Sequence, residues 1–177
     1  SVLRHKASRK HVKAIVVVHV FGNLADMEAI MDISAKYNLK VIEDATEALG
    51  SKFVEGKYAG KYAGTIGDFG AYSFNGNKII TTGGGGAITA KEVRTVKHLR
   101  YLSTQCKDDP HYYIHNEVGY NYRMTNVQAA LGVAQLEELP EFIRRKQANY
   151  EMYKELFSGF ELGEMMDFRE GTSSNKW

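Results

Sequence analysis

The chain has 177 residues, of which 44% are hydrophobic and 11% aromatic, and 23 Lys plus Arg nearly balance 21 Asp plus Glu to give a formal net charge of +2. This composition predicts one ordinary globular domain and excludes a disordered chain, while the balanced charge gives no indication of a nucleic-acid partner. The longest apolar run, Ala14 to Val20, is far shorter than the roughly 20 residues of a membrane-spanning helix, so no membrane partner is expected.

The single cysteine, Cys106, excludes an internal disulfide framework and fits a reducing compartment. The basic segment from Arg4 to His11 precedes only a short apolar run without a small-residue cleavage site, so no signal peptide is predicted. Together these features favour a cytoplasmic protein. The sequence begins at Ser1 rather than Met and ends at Trp177 without a polar tail, and we expect it to be a truncated fragment.

The first third of the chain predicts a βαβ unit. The β-branched run from Ala14 to Val20 is typical of a strand that is covered on both faces. A helix follows, with Asp26 as its N-cap and Asn38 at its end, and Leu39 to Glu43 predict a second strand. A strand, a helix and a strand in this order predict parallel strands with a right-handed crossover.

The middle of the chain predicts two more strands. Gly50 to Gly67 are rich in Gly, Lys and Tyr with little periodicity, which indicates an exposed loop or an irregular hairpin. Asp68 to Phe74 alternate as in a strand, and Gly86 to Ala90 predict a further short strand after a run of glycines.

Helical patterns dominate the second half. Glu92 to Leu102 carry apolar residues at a spacing of three, and Thr125 with Gln128 forms a capping box before another helix. Pro140 is expected to break that helix and to begin a last one that runs through about Phe157.

Polar side chains follow the predicted strand ends, where open α/β sheets bind ligands. Asp44 lies at one such end, although a helix or turn cap explains it equally well. Ser73 and Lys78 lie at another, where Lys78 is either a surface amine or a nucleophile. The four glycines Gly83 to Gly86 indicate positive φ angles or a close approach to a ligand, without matching a P-loop.

The chain resembles the DegT/DnrJ/EryC1/StrS family, whose members are pyridoxal-phosphate-dependent sugar aminotransferases. The resemblance runs from about Ala14 to the end. It is closest to the subgroup that aminates nucleotide-linked 4-keto-6-deoxy sugars on the way to legionaminic-acid-like or bacillosamine-like sugars. The motifs that carry it are Val41 to Gly50, Gly67 to Lys78, Gly83 to Gly86 and Gly119 to Asn126.

The resemblance implies a fold of the α/β class, the fold-type I pyridoxal-phosphate-dependent transferase, with three α/β/α layers around a mostly parallel sheet. Residues 1–138 then correspond to the C-terminal part of the large cofactor-binding domain. Residues 139–177 correspond to a linking helix and the start of the small C-terminal domain.

The resemblance also implies roles for individual residues. Lys78 matches the lysine that forms the Schiff base with pyridoxal 5'-phosphate, and Asp44 the carboxylate that keeps the pyridine nitrogen protonated. Ser73 matches a phosphate ligand. Asn121 matches a residue that reaches the cofactor of a neighbouring subunit, which implies a homodimer with shared active sites.

Two further positions are less regular. Glu47 stands where most relatives carry Gln or His beside the cofactor's phenolic oxygen, so it is either protonated there or points elsewhere, such as toward the sugar. His19 matches a histidine near the crevice, with a satisfied core histidine as the equal alternative. The histidines between His98 and His115 match no usual ligand spacing, so no metal site is predicted.

The leading interpretation is therefore a transaminase that moves an amino group, with L-glutamate as the expected donor, to a nucleotide-linked keto sugar. A first alternative is the sugar dehydratase of the same fold, in which a histidine replaces the Schiff-base lysine, so Lys78 favours transamination. A second is a non-catalytic binding or regulatory module, because the family's N-terminal phosphate-binding segment and ring-stacking aromatic residue are not found before Ser1.

Overall fold

A four-stranded sheet forms the centre of the chain in a computed structural model that describes residues 12–160 and 163–177. The expectations that concern Ser1 and the basic residues up to His11 lie outside the described residues. In chain order the strands are β1 (Ala14–Val18), β2 (Lys40–Asp44), β3 (Lys52–Phe53), β4 (Phe69–Ser73), β5 (Gly86–Ala90), β6 (Lys107–Asp109), β7 (Ile114–His115) and β8 (Thr172–Ser173), and the helices are α1 (Met27–Tyr37), α2 (Val93–Ser103) and α3 (Asn126–Leu156).

The central sheet has the order β1-β2-β4-β5. β1 and β2 pair in parallel, as do β2 and β4, whereas β4 and β5 pair in antiparallel orientation. The prediction of a mostly parallel α/β sheet is therefore confirmed. Its three parallel strands end at one edge, and polar residues of β2 and β4 lie at that edge.

Helix α1 connects β1 to β2 as the sequence predicts. The Asp26 carboxylate caps it by accepting the N–H of Ala29 at 3.1 Å. Asn38 ends it in the left-handed conformation, with φ of 49°, which asparagine tolerates better than most residues. Met27 of α1 is fully buried and packs with Val17 and Val41 on one face of the sheet.

Helices α2 and α3 lie over the opposite face. There Ala71 and Ile88 line a cavity of about 620 Å³ together with Val96 and Leu99 of α2 and Ala129 of α3. The sheet thus has helices on both faces, which is the three-layer arrangement.

Helices α2 and α3 do not cover β1 on this second face of the sheet. Val16 is 63% exposed and Val18 49%, so the expectation of a strand covered on both faces is wrong for the described residues. The strand is also shorter than predicted, because Val20–Gly22 form a 3-10 turn in which Phe21 adopts a φ of 55°.

The segment from Gly50 to Gly67 is an irregular hairpin, in which Lys52 bridges to Tyr62. Its predicted exposure is wrong in part. Phe53, Ala63 and Ile66 are buried against the sheet, because the segment packs beside α1 rather than extending into solvent.

Helix α3 is one continuous helix, so the predicted break at Pro140 is wrong. The capping box of Thr125 and Gln128 fixes its start as expected. A proline inside a helix removes one backbone hydrogen bond. Packing across the proline compensates for that loss, since Leu139 and Ile143 lie against Gly50 on either side of it. The division proposed at residues 138 and 139 falls within α3.

The last residues return to the sheet. We call residues 171–177 the strap. β8 pairs with β3, and the carbonyl of Gly171 accepts the N–H of Val54 at 2.8 Å. Gln147 of α3 donates to the carbonyl of Ser174 at 2.8 Å. These contacts carry the end of the chain to the edge where β2 and β4 terminate. Within the described part of the chain, no helix combines the length and the apolar character that crossing a bilayer requires.

Candidate active site

Asp44 and Ser73 lie on the same face of the sheet at the carboxyl ends of their strands. Asp44 ends β2 and pairs with Ala71 of β4, and Ser73 follows two residues later in β4. Residues two apart in a strand point to the same face, so both side chains face the side that α2 and α3 cover. The register therefore brings together two of the residues that the sequence singles out.

Lys78 reaches the same edge from a turn after β4. Its Nζ lies 3.7 Å from Oε1 of Glu47, and the two side chains are 13% and 24% exposed. The backbone N–H of Lys78 donates to the carbonyl of Asn75 at 3.1 Å, which closes the turn. Lys78 is therefore a partly buried lysine next to a carboxylate rather than an exposed surface amine, and its role as a nucleophile stays a prediction.

Glu47 uses both carboxylate oxygens. Oε2 accepts the backbone N–H of Phe21 at 2.8 Å, while Oε1 faces Lys78. Phe21 is in the left-handed region that residues with a side chain rarely adopt, with a φ of 55°. Glu47 therefore faces Lys78 in this structure, and its predicted place beside the cofactor's phenolic oxygen or toward the sugar stays a prediction.

Asp44 forms the turn cap that the sequence offers as one of its two interpretations. Oδ1 accepts the N–H of Thr46 at 3.1 Å and so shapes the turn that carries Glu47. No side chain or backbone group among residues 12–160 and 163–177 hydrogen-bonds to Oδ2. The predicted role of Asp44 toward a cofactor stays a prediction.

Ser73 and the glycine run fit a phosphate. The Ser73 hydroxyl accepts the N–H of Asn75 at 3.2 Å, which leaves its own proton for an acceptor such as a phosphate oxygen. Gly83 and Gly85 have φ of 77° and 91°, so the predicted positive φ angles are confirmed. An added Cβ at Gly83 or Gly84 would meet nothing within 4 Å, so the loop is open.

His19 and Glu43 form a buried pair behind the site. Both are fully buried, and His19 Nε2 lies 3.0 Å from the Glu43 carboxylate. Because the N–H of Ala25 donates to His19 Nδ1, the proton of the neutral ring lies on Nε2. His19 is thus a satisfied core histidine in this structure.

Glu43 is a structural residue that the sequence reasoning missed. Besides His19, its carboxylate accepts the backbone N–H groups of Gly64, Ile66 and Gly67. Burial acts to raise the pKa of Glu43, but these hydrogen bonds outweigh it and hold that pKa below its usual value. Only its position next to Asp44 could have drawn attention to Glu43, because the four groups that donate to its carboxylate come from segments distant in sequence.

Asn121 lies apart from Lys78. It bridges to Thr104 after α2, and the neighbouring rings of Tyr120 and Tyr122 stack at 5.1 Å. Asn121 is exposed, and the described residues of this chain do not bring it into contact with Lys78 or Glu47. Its predicted role toward a neighbouring subunit stays a prediction.

The strap adds aromatic and amide groups that the sequence reasoning did not assign to the site. Trp177 stacks on Phe21 at 5.6 Å, and Lys78 Nζ lies 5.0 Å from the centre of the Trp177 ring. Asn175 donates to the carbonyls of Glu47 and Leu49. No local pattern could reveal these contacts, which join residues 99 or more positions apart.

These groups together fit pyridoxal phosphate. The set offers an amine, a carboxylate with one oxygen unpaired among the described residues, and a hydroxyl beside an open glycine loop, which are the donors and acceptors that an aldehyde, a pyridine nitrogen and a phosphate require. A metal does not enter this comparison: among residues 12–160 and 163–177, no cluster of three His, Cys, Asp or Glu side chains has the proximity to hold one.

The model of the DegT/DnrJ/EryC1/StrS aminotransferase family matches residues 4–177. Among curated relatives, GDP-perosamine synthase of Escherichia coli O157:H7 is 45% identical over 142 residues, which are 80% of this chain and 38% of that protein. The chain therefore spans less than half the length of this relative.

Solved structures agree with the fold. The aminotransferase TlmJ from Streptoalloteichus hindustanus matches with a TM-score of 0.84 and 28% identity, over 98% of this chain and 47% of that one. DesI, solved in the presence of its TDP-sugar product, matches with a TM-score of 0.83 and 25% identity, over 96% of this chain and 42% of that one.

Proposed function

Because this chain belongs to the DegT/DnrJ/EryC1/StrS aminotransferase family, we propose that it transfers an amino group from L-glutamate to a nucleotide-linked 4-keto-6-deoxy sugar, with pyridoxal phosphate held at Lys78. The observation that carries this proposal is the approach of Lys78 Nζ to the Glu47 carboxylate, 3.7 Å away, at the sheet edge that presents Asp44 and Ser73. The 45% identity to a GDP-perosamine synthase supports the nucleotide-sugar class.

Pyridoxal phosphate supplies an electron sink for the charge left when a proton leaves the substrate carbon that bears nitrogen. When it is bound, Asp44 would keep the proton on the pyridine nitrogen through Oδ2, which has no hydrogen-bond partner among the described residues. Ser73 would donate its hydroxyl proton to the phosphate, and the open glycine loop after Thr82 leaves room for that group. These residues would bind and orient the cofactor.

Lys78 has two tasks. Its Nζ would bind the cofactor's aldehyde carbon, and as a free amine it would take up the substrate proton and return it. Glu47 faces Nζ and would attract the ammonium that forms when the amine takes up this proton, which keeps the lysine within reach. Because both side chains are largely shielded from water, this attraction is stronger than at a surface.

We also propose a homodimer in which Asn121 serves the partner's cofactor. The segment around Asn121 supports this, because it exposes large apolar side chains. Tyr112 and Val127 are each 81% exposed, and Tyr122 is 77% exposed. Contiguous exposed apolar groups mark interaction surfaces.

We also propose a cytoplasmic location, because the buried thiol of Cys106 is free and a free thiol fits a reducing compartment.

Absorbance spectroscopy tests the proposed reaction. Pyridoxal phosphate added to the protein is expected to give the band of the lysine-bound cofactor, and L-glutamate is then expected to bleach it. Lys78→Ala removes the amine, and Lys78→Arg retains a cation beside Glu47; both are expected to abolish band and bleaching. Full amine transfer by Lys78→Ala would contradict the transaminase assignment. A band that glutamate leaves unchanged would contradict glutamate as the donor.

A further inference from the structure

Two buried side-chain atoms of the described residues lack a hydrogen-bond partner, and both belong to the strap. They are Oδ1 of Asn175 and Nε1 of Trp177. Buried polar atoms are nearly always paired, and exceptions tend to occur at functional sites. Trp177 lies next to Lys78, and Asn175 binds the turn that carries Glu47, so both residues connect this part of the chain to the candidate site.

Asn175 joins the strap to the turn that carries Glu47. It is fully buried, and its Nδ2 donates to the carbonyls of Glu47 and Leu49, each at 3.0 Å. Its backbone N–H donates to the hydroxyl of Ser51 at 2.9 Å, and that hydroxyl donates to the carbonyl of Gly22 at 3.2 Å. Three distant segments are thereby fixed to each other by buried hydrogen bonds.

The same three segments surround Lys78. Gly22 follows Phe21, whose N–H binds the Glu47 carboxylate and whose ring stacks on Trp177. Glu47 lies 3.7 Å from Lys78 Nζ, and the centre of the Trp177 ring lies 5.0 Å from it. Asn175 therefore fixes the backbone on which both neighbours of the lysine depend. An apolar side chain of this size would fill the space without orienting either carbonyl.

We propose that Asn175 is a positioning residue for the Lys78 site: it holds the Glu47 turn and sets Trp177 against Phe21 beside the lysine. This inference rests on the proposed function. It assigns to the strap a part in the site that lies outside the strand ends and the lysine turn.

The test compares two asparagines that both anchor the end of the chain. Asn175→Ala removes the two bonds to the Glu47 turn. Asn23→Ala is the matched control, because the Asn23 side chain binds the carbonyl of Asp167 and the N–H of Arg169 and, among the described residues, has no hydrogen bond to Phe21, Glu47 or Trp177. Trp177 is the single tryptophan of the chain, so its emission reports directly on the strap.

Asn175→Ala is expected to shift the Trp177 emission to longer wavelength before any cofactor is added. It is also expected to slow the attachment of pyridoxal phosphate to Lys78, trapped with borohydride, by about fivefold. Asn175→Ser keeps one donor and is expected to restore part of both readouts, and it also serves if the alanine variant does not fold. Asn23→Ala is expected to behave like the unaltered protein.

A purely structural role would lower the melting temperature of the Asn175 variants and leave the emission and the trapping rate of the folded protein unchanged. That result would overturn the inference, as would equal losses in Asn23→Ala. Failure of the proposed function is distinguishable, because it shows as no modification of Lys78 in the unaltered protein, while the emission of Trp177 still tests the strap.

Discussion

Glu47 and Glu43 show how residues only four positions apart perform different tasks. Glu47 is partly accessible and shares its oxygens between the Phe21 N–H and the lysine. Glu43 is fully buried and satisfies only internal donors. The Glu47 carboxylate can therefore respond to a ligand, whereas the Glu43 carboxylate holds the loops next to the site in place. Their exposure to solvent and their hydrogen-bond donors account for this difference.

Replacing Glu43 tests its structural role. Glu43→Gln puts a donor among four donors, and breaking a buried, hydrogen-bonded charge of this kind costs about 3–5 kcal/mol. We expect the free energy of unfolding, measured in urea at neutral pH, to fall by about that amount. The exposed Glu138 provides the control, since Glu138→Gln is expected to change stability by less than about 0.5 kcal/mol. Equal effects of the two variants would contradict the account.

The lowered pKa of Glu43 sets a pH dependence. The group binds its proton more readily unfolded, where its ordinary pKa is 4.5, than folded. Its contribution is therefore complete above about pH 4.5 and is lost as the pH falls through the lower folded value. Unfolding free energies measured between neutral pH and pH 3 are expected to fall less steeply for Glu43→Gln than for the unaltered protein. An identical slope would show that Glu43 does not carry this dependence.

Among the secondary-structure elements, short sequence patterns correctly predicted the helix ends that are fixed by hydrogen bonds within one turn. Asp26, Asn38 and the Thr125 capping box act within one helical turn, and the structure places each as predicted. Pro140 shows the limit of such signals. Its effect depends on whether packing elsewhere holds the helix together, and Leu139 and Ile143 pack on Gly50 from a part of the chain that no window around Pro140 contains.

Pro140→Ala tests the continuity of α3. If Pro140 lies inside one helix, alanine restores a backbone hydrogen bond, and the unfolding free energy is expected to rise by about 1–2 kcal/mol after the gain in unfolded-state entropy is deducted. Pro110, the other proline of the chain, lies in a turn, and Pro110→Ala is expected to bring no gain. No increase for Pro140→Ala in urea titrations would indicate that a new helix begins at the proline.

At the scale of the whole molecule, the exposed apolar segment around Asn121 predicts self-association. Val127→Asp places a carboxylate in the first turn of α3, where the helix dipole favours it, so the fold is expected to be retained. The dissociation constant of the dimer, measured by sedimentation, is expected to rise about tenfold or more. Val93, equally near the start of α2 and 71% exposed, gives the matched control Val93→Asp. A monomer without any substitution would remove the proposed shared site.

The sequence predicted the central sheet and the helices α1 and α2, and its resemblance to a known family singled out Asp44, Ser73 and Lys78. It could not predict the surroundings of those residues. Glu43 binds the loop around Gly64, and Asn175 binds the turn at Glu47, through contacts that exist only once the whole chain has folded. Strand ends and motifs therefore predicted the candidate site, while the contacts of its surrounding residues could be seen only in the structure.

Covalent mapping tests whether Lys78 is the cofactor lysine of this chain. The protein is incubated with pyridoxal phosphate, reduced with borohydride and digested, and the modified peptide is identified by mass spectrometry. We expect one dominant modification, on Lys78, at stoichiometric cofactor. Modification spread over exposed lysines such as Lys13 and Lys91, with Lys78 unmodified, would contradict it.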